Sequence, residues 1–250
     1  MKAMVFAKRN IKEILRDPLS LIFLIAFPIV LLLFFEILIF SMGKNVLDAT
    51  PQFKIDNLAA SITIFSFSFC TLFIGMLISK DRTSSFVTRL RTTPMTTKDF
   101  IFGYLMPMLP LAMAQVIICF LVSMIFGLKI SVNLLLAIIV FIPSAVMFLA
   151  LGILIGSVFS DKAVGGISSL IINLAVILGG MFFPLRIMKG AFVTVAYIFP
   201  FAHAVDLAVY AINGQFSKIL IPLLVVSLYA VALLTLALLV FRKKLIIDKN

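Results

Sequence analysis

The sequence predicts an all-α integral membrane protein: six transmembrane helices, an N-terminal amphipathic interfacial helix, and short re-entrant outer helices before the last span. Three observations lead there. Hydrophobic residues make up 63% of the 250 and charged ones only 12%, against roughly 25% charged in an ordinary soluble domain. Six apolar runs reach the roughly twenty residues that cross a hydrocarbon core. The basic residues lie between these runs and at the ends, not inside them. Six spans with short connections account for the whole length, so residues 1–250 read as a single transmembrane domain.

Residues 1–17 put Met4, Ala7, Ile11, Ile14 and Leu15 on one helical face and Lys2, Lys8, Arg9, Lys12 and Arg16 on the other, the pattern of a helix lying at a membrane surface. Asp17 and Pro18 end it, because proline disfavours helical geometry in the residue before it. The spans are then expected at Leu19–Phe40, Leu58–Ile78, Phe100–Phe126, Val132–Val158, Ala163–Phe183 and Ile219–Phe241. The first run is too long for the apolar part of a signal peptide and no small-residue cleavage pattern follows it, so it reads as retained.

An even number of spans puts both termini on one side. Fifteen of the 21 basic residues then share that side, in the N-terminal tail, the stretch 80–99, Lys162 and the C-terminus. The positive-inside rule makes it cytoplasmic. Topology therefore explains the net charge of +11, and nucleic acid is not an expected partner.

Pro28, Pro107, Pro110, Pro143 and Pro222 fall inside spans, and each removes a backbone donor that neighbouring helices must help to replace. Gly165, Gly166, Gly179 and Gly180 bracket the fifth span and are expected to let another helix approach closely. Residues 184–218 are too apolar for an ordinary loop. Pro184, Gly190, Pro200 and Gly214 cut them into pieces too short to span, so they read as re-entrant or interfacial helices at the outer face, packed on the bundle.

Chemistry-bearing residues are few. The sequence has no phosphate-loop pattern, no HExxH, GxSxG or CxxC, and one histidine, so no catalytic set emerges and no metal site is expected. Cys70 and Cys119 sit in apolar runs and read as buried small hydrophobes. Glu36 is the acidic residue well inside a span, where an ionisable group costs about 2.5–3.5 kcal/mol at mid-bilayer. It either lines a substrate path or reaches the outer headgroup layer. His203 and Asp206, three apart in FAHAVDL, share a helical face and are expected to form a structural pair. Thr96 and Asp99 have the spacing of a helix N-cap opening the third span.

The basic stretch Lys80–Asp99, KDRTSSFVTRLRTTPMTTKD, carries the apolar set Phe86, Val87 and Leu90 at helical spacing. Its Asp81, Arg82, Arg89, Leu90, Arg91, Thr93 and Pro94 resemble the first cytoplasmic loop of the membrane subunits of type-2 ABC exporters, with Thr83, Ser85 and Thr88 standing where an acid, glycine and glutamate are usual. The outer segment, with Phe183, Pro184, Met188, Pro200 and the Ala204, Val205, Asp206 run, resembles the same family, Lys189 replacing a common proline. The likeness covers nearly the whole chain and is strongest to the small bacterial branch typified by the daunorubicin-exporter permease.

That resemblance implies a permease, not itself an enzyme, of the bacterial inner membrane with both termini cytoplasmic. It implies pairing with a second copy or a related permease and with two copies of an ABC ATPase subunit, which would bind the ATP and magnesium that this chain does not. Residues 80–99 would supply the coupling helix, with Phe86, Val87 and Leu90 anchored in an ATPase groove, Arg82, Arg89 and Arg91 on its rim, and Pro94 at the turn onward. The expected function is ATP-driven export of an amphipathic or hydrophobic substrate such as a drug, an antimicrobial peptide or a lipid. Alternatives are export of a lipid-linked glycan, and an ATP-independent carrier or scaffold. Membrane lipids are expected contacts in every case.

Overall fold

The computed structural model describes residues 2–42, 51–84, 95–181, 185, 188 and 190–247. All regular structure among them is helical: α1 (Lys2–Leu15), α2 (Pro18–Leu21), α3 (Phe27–Met42), α4 (Ile55–Thr83), α5 (Thr97–Ile125), α6 (Val132–Val158), α7 (Asp161–Gly179), α8 (Ala191–Ile198), α9 (Pro200–Ile212) and α10 (Leu220–Ile247), with two single 3₁₀ turns. Six helical stretches are long and apolar enough to cross a membrane, matching the six runs read from the sequence. The fifth is shorter than expected. It stops at Gly179, because Gly180 adopts φ 62°, a left-handed cap that glycine supplies without strain.

The first span is one run interrupted by a π turn, Ile22–Ala26, that joins α2 to α3. Pro28 is the cause. It has no N–H to offer the Leu24 carbonyl four residues earlier, and its ring crowds that carbonyl. The freed oxygen accepts instead from the side-chain amide of Gln115 on α5, whose other end, Oε1, accepts from the Cys70 thiol at 3.1 Å. Gln115 is buried with a partner at each end of its amide, which is how such a group survives inside an apolar bundle.

Helices α4 and α6 form the centre. Their backbones meet at Gly75, Gly152 and Gly156. A Cβ on Gly156 would stand 2.5 Å from the Gly75 carbonyl oxygen and 3.0 Å from its Cα, and one on Gly152 would stand 2.9 Å from the Thr71 Cα. Close approach of this kind is what small residues four apart permit in a membrane. The Thr71 hydroxyl uses it, donating to the Phe148 carbonyl across the interface at 2.7 Å. At the start of the fifth span the finding differs: nothing lies within 4 Å of where a Cβ on Gly165 or Gly166 would be, whereas one on Gly179 would meet Val205 of α9 at 3.5 Å. The helix-closing glycines belong to the second and fourth spans, not to the start of the fifth.

The outer segment folds as α8 and α9, bent 83° at Phe199 and Pro200. Proline at the first position of α9 blocks continuation of α8 and starts the next helix with its φ preset. The two last carbonyls of α8 are satisfied from outside: Tyr229 of α10 donates to that of Ile198 at 2.7 Å, and His203 Nε2 lies 3.1 Å from that of Tyr197. A carbonyl can only accept, so this nitrogen carries the proton. Asp206 accepts from the Tyr197 hydroxyl at 2.7 Å. His203 and Asp206 are therefore joined through Tyr197, not directly as the i, i+3 spacing suggested. The corner had to be built before Tyr197 could come between them.

Candidate functional site: the clamp between α1 and the stems of residues 85–94

Residues 85–94, which include Phe86, Val87, Arg89, Leu90, Arg91 and Pro94, lie outside the described residues. Their two stems are described. The incoming stem is the end of α4, which runs five residues past the expected limit at Ile78 and closes where the Ser84 N–H donates to the Lys80 carbonyl at 3.1 Å. The outgoing stem is the start of α5. Thr96 caps it, its side chain accepting from the Asp99 N–H while the Asp99 carboxylate accepts from the Thr96 N–H, as the spacing of the two residues suggested.

Both stems are held by α1. Asp81, only 2% exposed, receives a two-pronged pair from Arg9, with N–O distances of 2.6 and 2.9 Å, and a third hydrogen bond of 2.8 Å from the Tyr104 hydroxyl on α5. A buried carboxylate is tolerable on these terms, because its lone pairs are occupied and its charge is opposed. Burial alone would lower the Arg9 pKa, but the hydrogen bond and charge of Asp81, with the charge of Glu13, outweigh it and raise it. Glu13 pairs with Arg9 one turn along α1 and lies 3.9 Å from Lys80.

Asn10, with no exposed surface, completes the attachment by donating to the Gly103 carbonyl at 3.0 Å. The reason that carbonyl is available lies in the sequence. Pro107, four residues on, cannot supply the helical N–H, so α5 presents an acceptor socket and α1 fills it. Gly103 also has no side chain to obstruct Phe6, which packs against its Cα and meets Tyr104 and Phe100 edge-on at 4.9 and 5.6 Å. The face of α1 that is buried is thus Phe6, Ala7, Asn10 and Ile14. Of the residues expected on the apolar face, Ala7 and Ile14 pack on the bundle, while Met4, Ile11 and Leu15 lie on the protein surface, as suits the lipid-contacting side of an interfacial helix.

On its other side the incoming stem is tied to α6 and α7. Arg82 donates to the carbonyls of Gly156 at 2.7 Å and Phe159 at 3.3 Å, where α6 runs out of its own donors. Ser79 donates to Asp161 at 3.0 Å. Arg82 is therefore engaged within the chain, a use that the rim position did not suggest. Residues 79–84 are consequently linked to α1, α5, α6 and α7 together.

The clamp is a set of structural ties between helices and carries no pair of groups arranged for bond-making chemistry. The pattern for ABC-2 type transporters matches residues 2–213. The chain belongs to that family. No curated protein matches it. An ABC-2 membrane domain is the permease of an ABC exporter, a membrane transport component and not the catalytic one.

Sequence reasoning missed most of this clamp. Arg9 was one of five cations on a polar face, Asp81 only the beginning of a motif, and Tyr104 and Asn10 were unremarked. The available signal was an acidic residue just beyond an apolar run and an asparagine on the apolar side of α1. Glu36 sits half-exposed on α3 and makes no hydrogen bond or ion pair among the described residues.

Proposed function

We propose that this ABC-2 permease moves an amphipathic or hydrophobic molecule, such as a drug, an antimicrobial peptide or a lipid, out of the cytoplasm or inner leaflet of a bacterial inner membrane. Two copies, or one copy and a related permease, work with two ATPase subunits that bind ATP and magnesium, and both termini are cytoplasmic. The likeness to the daunorubicin-exporter branch supports this finer reading. The observation that carries it is the clamp: both stems of residues 85–94 are fastened to α1 through Asp81, Tyr104 and Gly103.

In this reading Phe86, Val87 and Leu90 seat in an apolar ATPase groove, Arg89 and Arg91 meet its acidic rim, and Pro94 turns the chain towards α5. Arg82 contributes from the stem by locking it to α6. Closure of the ATPases on ATP displaces the coupling segment, the stems carry α1, α4 and α5 with it, and the two permease halves rock to expose the cavity outward. Glu36 lies on the path between the halves and favours cationic amphiphiles.

The test is Phe86→Asp and Leu90→Asp in the assembled complex. Both are expected to lose ATPase co-purification and substrate-stimulated hydrolysis while the permease still reaches the membrane. Unchanged assembly and coupling in both variants would remove the docking assignment.

A further inference from the structure

The exposed polar face of α1 borders an open cleft. With α4 it forms a cleft of about 960 Å³, whose walls include Lys8 and Lys12 from α1, Arg16 just after it, and Phe73, Met76, Leu77 and Lys80 from α4. Lys8, Lys12 and Arg16 stand at i, i+4 and i+8, one row along the helix, where like charges repel. None has an acidic partner among the described residues. Of the acids in the cleft, Glu13 pairs with Arg9, Asp17 has a partner, and Asp161 accepts from Ser79 while keeping its charge, so five cations face three acids there. The opposite wall is apolar and continues from Lys80 up to Phe73, seven residues or about 10 Å along α4 into the membrane-crossing part.

We infer that this cleft holds an anionic phospholipid of the surrounding bilayer, its phosphate among Lys8, Lys12, Arg16 and Lys80 and the top of an acyl chain against Phe73, Met76 and Leu77. Two features select that occupant. A surplus of cations, three of them in a row without a direct ion pair, calls for an anion, and lysines and arginines near a membrane surface each favour anionic lipid. The apolar wall and the volume exceed what a soluble phosphate would use, while an acyl chain gains by covering them. The lipid would also join α1 to α4 along the side that the Arg9–Asp81 pair leaves open.

The chain has no tryptophan, so Phe73→Trp in the full-length protein provides a single reporter inside the cleft. Reconstituted in phosphatidylcholine bilayers, it is expected to be quenched by brominated phosphatidylglycerol at about ten-fold lower mole fraction than by brominated phosphatidylcholine. Lys8→Gln, Lys12→Gln and Arg16→Gln combined should abolish that preference. Lys129→Gln, Lys218→Gln and Arg242→Gln, an equal change in net charge away from the cleft, should leave it. On the unneutralised protein, raising salt from about 0.05 to 0.5 M should weaken it, which keeps the test valid if the triple variant misfolds. Equal quenching by the two lipids, equal loss in the control triple, or no salt effect would overturn the proposal. So would full displacement by soluble glycerol phosphate, which would make this a soluble-anion site.

Discussion

Replacing Asp81 by asparagine removes the charge while keeping shape and size. Three hydrogen bonds converge on this carboxylate, two from Arg9 and one from Tyr104. Two opposite charges about 4 Å apart attract by about 4 kcal/mol at an effective dielectric near 20, most of it offset by the cost of burying them. What the variant exposes is the penalty of stranding the partner. Breaking a buried pair from one side costs about 3–5 kcal/mol, and Arg9, with 34% of its side chain exposed, recovers part of that from water. About 2–3 kcal/mol is therefore expected, with the Tyr104 hydroxyl keeping a weaker acceptor in the new amide.

The assay is thermal unfolding of the purified protein, paired with trypsin cleavage at Lys12 on α1 and Arg16 just after it. At roughly 2–4 °C per kcal/mol for a chain of this size, Asp81→Asn should melt about 4–12 °C lower and release α1 to protease several-fold faster. Arg9→Met and Asp81→Leu combined with Tyr104→Phe should restore much of the loss, since apolar residues of similar volume leave no stranded partner. If Asp81→Asn melts with the parent protein and its α1 is cleaved at the same rate, the clamp does not hold α1, and the mechanical reading built on it fails.

The remaining predictions concern other parts of the bundle. Gly156→Leu should separate α4 from α6 and abolish folded protein in a size-exclusion assay, whereas Gly165→Ala should be silent, because only the first has backbone within 3.0 Å of the new Cβ. Gln115→Leu leaves the Leu24 carbonyl without its side-chain donor and should cost about 1–3 kcal/mol in thermal unfolding. Adding Pro28→Ala, which returns a helical N–H, should recover most of that, and failure to do so would refute the proline explanation of the π turn. Glu36→Gln should preserve expression and lower export of cationic amphiphiles relative to neutral ones in a vesicle transport assay. An unchanged ratio would remove Glu36 from the path.

Much of the architecture was legible because membrane insertion is decided by local composition. A run of about twenty apolar residues must hydrogen-bond its own backbone, and a helix is the way one segment can do so. The six spans, the broken outer segment and the Thr96–Asp99 cap followed from such local rules. So did the expectation that prolines inside spans need partners from neighbouring helices, which Pro28 and Pro107 bear out through Gln115 and Asn10.

Which partner answers which vacancy was not legible. Asn10 and Gly103 are 93 residues apart, Arg9 and Asp81 72 apart, and nothing local to either end names the other. The same holds for the glycines. A small residue permits close approach, but whether a neighbour arrives depends on how α4 and α6 pack, and they meet at Gly75, Gly152 and Gly156 while the surroundings of Gly165 and Gly166 stay open. The sequence by itself determined that this chain is a six-span helical membrane protein with a basic amphipathic start, since hydrophobicity and backbone self-satisfaction act within a segment. Only the tertiary structure decided that α1 is keyed into both stems of residues 85–94, because buried charges and orphaned carbonyls choose their partners across the bundle, after the helices have formed.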